Sequence, residues 1–197
     1  MMKELKDTRG AKEKILATAV QLFYSRGINN VGIDEIIKVS GVAKMSLYNH
    51  FKSKDDLIVA FLERINSQWF QWIKDSVEKQ ETKPEQRLLL FFDVLEEWFQ
   101  TPEFRGCPFI NTTAEISDAE HIAYKCALDF KQGLLDYIQE LVKLSGYIDT
   151  NGLSSQILLL VDGAIIRAAM TKQAGSAKLA KQACISILKQ AKKKKTK

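Results

Sequence analysis

Three cysteines, Cys107, Cys126 and Cys184, are too few and too widely spaced to build a disulfide framework or a zinc site, and a reducing cytoplasm is the compartment that suits them. Histidine is scarcer still, with only His50 and His121, so a catalytic base has few candidates. No nucleophile elbow, phosphate-cradling glycine loop or His-Glu-x-x-His pair is present. The chain is therefore expected not to be an enzyme and to need neither metal nor cofactor. Three prolines and ten glycines leave little punctuation, and alternating strand patterns are almost absent. The N-terminus is charged and carries no apolar run, so no signal peptide is expected. The longest apolar stretch, Ile157 to Ile166, is interrupted by Asp162 and falls short of the ~20 residues a membrane span needs. A soluble cytoplasmic protein with no membrane contact is the expectation.

Charge is unevenly placed. The formal net charge is +5 over 197 residues, but residues 1 to 54 hold ten basic against five acidic side chains, residues 55 to 188 hold thirteen against nineteen, and residues 189 to 197 hold six lysines. A basic head on an acidic body is the distribution that contact with nucleic-acid phosphates requires. The run Lys192 to Lys195 with Lys197 invites a second anionic contact, although such runs are more often solvated chain ends.

Apolar residues recur at spacings of three and four almost throughout, which predicts an all-α protein of about nine helices. The most informative segment is 33 to 54. Ile33, Ile36 and Ile37 share one helical face, and Gly41 stops that helix because only glycine enters a left-handed turn without a Cβ clash. In the short helix that follows, Leu47 and Phe51 point inward, leaving Lys44, Ser46, Asn49 and His50 outward with Tyr48 at the edge. Two short helices about a tight turn, the second with a polar outer face, form a helix-turn-helix. A plain helical hairpin is the bland alternative. Ser53 can cap the next helix and Asp56 can cap back, and Lys54 beside those free N–H groups makes a seat for phosphate.

The stretch Ala11 to Leu57 resembles the N-terminal DNA-binding domain of the TetR family of bacterial transcriptional regulators. The carriers are Ala19-x-x-Leu22-Phe23-x-x-x-Gly27, Ile33-x-x-Ile36, Gly41-Val42 and Leu47-Tyr48-x-His50-Phe51-x-x-Lys54-x-x-Leu57. The resemblance implies that Lys44, Met45, Ser46 and Asn49 face bases while Tyr48, His50 and Lys54 hold the DNA backbone. Two positions depart from the family pattern: Gly32 and Ala43 stand where many members carry a hydroxyl that caps a helix. The implied organisation is a three-helix DNA-binding domain, residues 1 to 54, followed by a helical ligand-binding and dimerisation domain, residues 55 to 197.

Within the body, helices are expected at about Asp55 to Gln80, Pro84 to Pro102, Phe109 to Ile116, 118 to 145, Leu153 to Lys172 and Ala177 to Lys189. The inner stripe of the first comprises Leu57, Phe61, Ile65, Trp69 and either Trp72 or Ile73. In the penultimate helix, Ile157 to Val161, Ile165 and Ile166 cover too much of the circumference for one protein face to bury. A homodimer joined through the last two helices from each subunit is expected, and the family pairs in this way. Two recognition helices ~34 Å apart then read successive major-groove faces of an operator.

The family usually binds a small molecule in the body and leaves its operator in response. Candidate ligand-binding residues are Trp69, Trp72, Phe91, Trp98, Cys107, Phe109, Asn111 and Tyr124, with Phe70, Phe99, Glu96, Glu97 and Glu115 nearby in the pattern. An aromatic or hydrophobic effector is expected, and a cationic one would suit the acidic body. The segment Arg105-Gly106-Cys107-Pro108-Phe109-Ile110-Asn111 resembles a turn found in many members. Beside Arg105 and a helix start, Cys107 is a candidate for a lowered pKa and for sensing oxidants or electrophiles. The reading is a ligand-responsive repressor, with a redox or electrophile sensor acting through Cys107, or a weakly specific architectural DNA binder, as alternatives.

Overall fold

The structure is a computed structural model that describes residues 10–81 and 83–194. Among these residues there are nine helices: α1 Ala11–Arg26, α2 Ile33–Ser40, α3 Lys44–His50, α4 Lys54–Glu78, α5 Pro84–Phe99, α6 Pro108–Glu115, α7 Ile122–Leu144, α8 Thr150–Thr171 and α9 Ser176–Gln190. The described residues contain no sheet, only a single bridge between Tyr147 and Lys193. The all-α expectation is met. Helix starts follow the sequence signals closely: Pro84 and Pro108 open α5 and α6, where a missing N–H costs nothing. The α7 start is later than expected because Asp118 accepts from the Glu120 amide in a turn and His121 Nδ1 caps by accepting from the Ala123 N–H at 3.2 Å.

The head is built on α1 to α3. Ile15, Ala19, Phe23, Ile36, Leu47 and Phe51 are all buried, and the inward ridge of the helix-turn-helix is the one its spacing implies. Truncating Ile36 or Leu47 to Ala would cost about 2–5 kcal/mol, because the surrounding helices cannot close over the gap. Gly41 adopts φ +67°, and its N–H returns to the Ile37 carbonyl, which turns the chain into α3.

The long α4 joins head and body. Its N-terminal half buries Leu57, Phe61 and Leu62, with Phe61 edge-on to Phe23 of α1 at 5.6 Å, and its C-terminal half buries Ile73 and Val77. The choice between Trp72 and Ile73 resolves to Ile73, since Trp72 is 36% exposed. α5 and α7 pack on this helix, and α8 and α9 complete the bundle on their far side, α8 lying against α7, α5 and α9 and α9 against α5 and α8.

One expectation needs correction. α8 has 22 residues and mean hydropathy 1.5 in its most apolar window, long and apolar enough by length and composition to cross a membrane, whereas the stretch Ile157 to Ile166, interrupted by Asp162, is expected to fall short. Asp162 does not interrupt the helix, since an aspartate keeps its backbone N–H and costs little there, and its carboxylate pairs with Lys131 of α7 at 2.5 Å. The inner face of α8, including Leu153, Ile157, Val161, Ile165 and Ala168, is buried in the bundle. Its outer face is not: Leu159 is 71% exposed, Met170 78% and Ile166 43%, with Leu179 of α9 at 60%.

Of the lysine run, Lys193 pairs with Glu85 and lies over the Tyr147 ring at 4.7 Å. Lys195, Thr196 and Lys197 lie outside the described residues, as does the charged N-terminal segment before Gly10.

Candidate nucleic-acid interface and body cleft

The helix α3 is short, and packing fixes its roll. Leu47 is fully buried and Phe51, its C-cap, is 4% exposed, so the opposite face is forced outward. Lys44, Met45, Tyr48, Asn49 and His50 are all exposed, and Ser46 is half-buried. Met45 stands out at 72% exposure, an apolar side chain left largely uncovered among the described residues. Lys44 reaches back to Asp34 of α2 at 3.3 Å, across a pair so exposed that it contributes little. Neither Gly32 nor Ala43 supplies a side-chain cap, so the first turns of α2 and α3 offer free amides to solvent.

The start of α4 is well made. Ser53 Oγ accepts from the Asp56 amide at 3.0 Å, and Asp56 Oδ2 accepts in return from the amide of Lys52, one residue before the position the capping box would use. Lys54 is the first residue of that helix, beside the N-terminal amides. The seven residues expected at DNA thus lie on α3 and the first turn of α4, and most are solvent-facing.

Head and body are tied by contacts that sequence spacing could not reveal. The Tyr24 hydroxyl of α1 donates to the Gly106 carbonyl at 3.2 Å and accepts from the Arg105 amide at 3.1 Å. Burial pushes the Tyr24 phenol up, against the opposing pull of its bond from Arg105. Glu115, at the end of α6, accepts the Asn29 amide at 2.8 Å, and its carbonyl accepts Asn29 Nδ2 at 3.0 Å. His121 Nε2 lies 3.4 Å from Asp55 Oδ2.

Beside the Tyr24 joint opens a cleft of about 500 Å³, lined by Tyr24, Ile65, Gln68, Trp69, Trp72, Glu97, Trp98, Thr101 and Pro108. Trp69 lies at its centre, with ring centroids 6.3 Å from Trp72 and 6.2 Å from Trp98. Its indole Nε1 is buried with no acceptor among the described residues, a cost of about 1–3 kcal/mol.

The expected ligand residues divide accordingly. Trp69, Trp72, Trp98 and Glu97 meet at the cleft. Cys107 and Phe109 lie behind Trp69 and Trp98, around a space of about 10 Å³ that is too small for a ligand, and Phe109 stacks on Phe130 at 3.6 Å. Phe91 is buried edge-on to Trp69 at 6.2 Å. Asn111 turns its amide to the Arg105 carbonyl, 3.1 Å away, and Tyr124 is half-buried on α7, away from the cleft. Tyr24, Gln68 and Thr101 also line the cleft and lie outside the sequence expectation.

The expectation of a lowered Cys107 pKa is overturned. The thiol is buried, and that burial pushes it up more strongly than the nearby Lys131 charge pulls it down. Arg105 donates instead to the Phe104 carbonyl at 3.2 Å. Among the described residues, no group of histidine, cysteine and carboxylate side chains could hold a metal ion.

This architecture has relatives. Residues 15–61 match the family described as bacterial regulatory proteins, tetR family. The chain is 33% identical over 113 residues to the HTH-type transcriptional repressor NemR of Escherichia coli strain K12, across 57% of this chain and 55% of that protein. The chain therefore spans about half the length of this curated relative. It is 40% identical over 68 residues to the HTH-type transcriptional regulator QacR of Staphylococcus aureus, across 34% of this chain and 36% of QacR. A crystal structure of a TetR-family transcriptional regulator from Streptomyces coelicolor superposes with a TM-score of 0.82 at 28% identity, over 91% of this chain and 94% of that one. Over residues 15–61 the chain thus matches the tetR family of bacterial regulatory proteins, and along the body it is similar in fold to a TetR-family regulator.

Proposed function

We propose that the chain is a cytoplasmic, sequence-specific DNA-binding regulator that acts as a homodimeric repressor and leaves its operator when a small molecule enters the body cleft. The observation that carries this reading is the exposed face of α3, whose roll is fixed by Leu47 and Phe51 beneath it. Lys44, Ser46 and Asn49 supply donors and acceptors for base edges, and Met45 an apolar surface for them; Tyr48, His50 and Lys54 supply phosphate contacts. The uncovered apolar face of α8 and α9, through Leu159, Ile166, Met170 and Leu179, supports pairing of two chains there. The relatives NemR and QacR, a repressor and a regulator by name, support the regulatory role.

The cleft supports the effector half of the reading. It is concave, mostly apolar and bounded by α1 of the head as well as α4, α5 and α6 of the body, so an occupant touches both units. Competition binding at one fixed salt concentration tests the proposal: DNA selected for binding should be held at least ~10³-fold more tightly than random competitor. A ratio near one would instead indicate an architectural DNA binder.

A further inference from the structure

We propose that the cleft takes an organic monocation with a flat apolar body, its charge held at Glu97 and its rings against the indoles of Trp69, Trp72 and Trp98. The inference rests on the effector reading above and adds the chemical class of the occupant. Among the described residues, Glu97 is the one charged side chain lining the cleft. Among the described residues its carboxylate makes no ion pair and no side-chain hydrogen bond, whereas Asp93 on the same helix is engaged by Lys181 at 2.5 Å. An unpaired carboxylate at the rim of an aromatic cleft attracts a cation and repels an anion.

The other polar groups reinforce the choice. The Tyr24 hydroxyl is committed on both sides, to Gly106 and from Arg105, and the Thr101 hydroxyl donates to the Trp98 carbonyl at 2.8 Å. Among the described residues no lysine, arginine or histidine lines the space, so a carboxylate or phosphate would lose its hydration without gaining a partner there. The three indoles are inclined, Trp69 to Trp72 at 58° and to Trp98 at 66°, so they present both faces and edges to the cavity. Indole faces stabilise a desolvated cation through the ring quadrupole. A volume of about 500 Å³ accommodates a two- or three-ring molecule. Because Tyr24 belongs to α1, such a ligand presses directly on the joint that orients the head.

Three acridines of one shape separate the possibilities: 9-aminoacridine, a cation at neutral pH; acridine, neutral; and acridine-9-carboxylate, an anion. Each is measured by equilibrium dialysis against the full chain, the Glu97→Gln variant and the Trp72→Ala variant. The cation should bind about tenfold more tightly than acridine, corresponding to ~1.4 kcal/mol, and the anion more weakly than either. Glu97→Gln should erase the difference between cation and neutral molecule, while Trp72→Ala weakens both. Equal binding of cation and neutral molecule, preference for the carboxylate, a cation preference that survives Glu97→Gln, or no retention of any acridine would each overturn the proposal. Operator binding is measured separately on labelled DNA without acridine; failure there counts against the regulatory reading and leaves the dialysis result intact.

Discussion

Glu115 holds Asn29 at both ends, its carboxylate accepting the Asn29 backbone amide at 2.8 Å while its own carbonyl accepts the Asn29 side chain at 3.0 Å. The two residues lie 86 positions apart, one in the loop after α1 of the head and the other at the end of α6 of the body. With Tyr24 on Gly106, this contact ties the head to the body.

Loosening that contact should show locally. Glu115→Ala should lower stability by about 1 kcal/mol, with faster hydrogen exchange at the Asn29 amide and unchanged exchange in α8. Gly27→Ala tests the same place from the other side. Gly27 adopts φ +88°, and a Cβ there would lie 2.7 Å from Glu115 Oε1, so this variant should lose about 1 kcal/mol or more. Unchanged melting in both variants would show that the contact carries no load.

On the proposed DNA-reading face, some residues should position the chain and others specify sequence. Lys54→Ala should weaken binding about equally on every DNA and reduce the salt slope by about 1, whereas Asn49→Ala should also relax base preference. Met45 offers a sharper probe, because an apolar side chain on such a face matches a thymine methyl group. Replacing operator thymines one by one with deoxyuridine should weaken the unaltered chain at one position per half-site and leave Met45→Ala indifferent there. Equal sensitivity of both proteins at every thymine would remove Met45 from base reading.

The exposed apolar face of α8 and α9 makes a separate claim. Leu159→Glu with Met170→Glu places two charges where a partner would pack, and sedimentation should give a monomer for the double variant and a dimer for the unaltered chain. A variant that remains dimeric would move the interface elsewhere on the body.

Alkaline pH should unfold the body by a defined route. Burial pushes the Cys184 thiol up to about 12 from an ordinary 9.0, and burial with the nearby Glu78 carboxylate pushes the Tyr137 phenol up to about 12 from 10.0. Both groups keep their protons in the folded chain after the unfolded chain has lost them. Stability is therefore intact below about pH 9 and lost as pH rises towards 12. Melting temperature should decline across that window, less steeply in Cys184→Ala and Tyr137→Phe; identical declines in all three would contradict the assignment.

Much of this was legible in the chain because the signals are local. Gly41, Ser53, Pro84 and Pro108 mark helix ends by the backbone conformations they favour or forbid, and the structure uses all four. The inward ridge of Leu47 and Phe51 follows from spacing alone. The cleft was only partly legible: periodicity says that Trp69 and Phe91 point inward, but not that one lines a cavity and the other closes its back. Tyr24 and Glu115 carried no signal as joint residues, since their partners lie more than 80 residues away in sequence. Cys107 misled for a related reason, because its sequence neighbour Arg105 turns aside and burial determines the thiol's acidity.

The central claim is that two outward α3 faces, paired through α8 and α9, read one operator together. Selecting bound sequences from a random DNA pool tests it most directly. The account expects a near-palindrome whose half-sites lie about one helical turn, ~34 Å, or a small multiple of it apart. A pool that converges on a single unrepeated half-site, or on no motif at all, would contradict it.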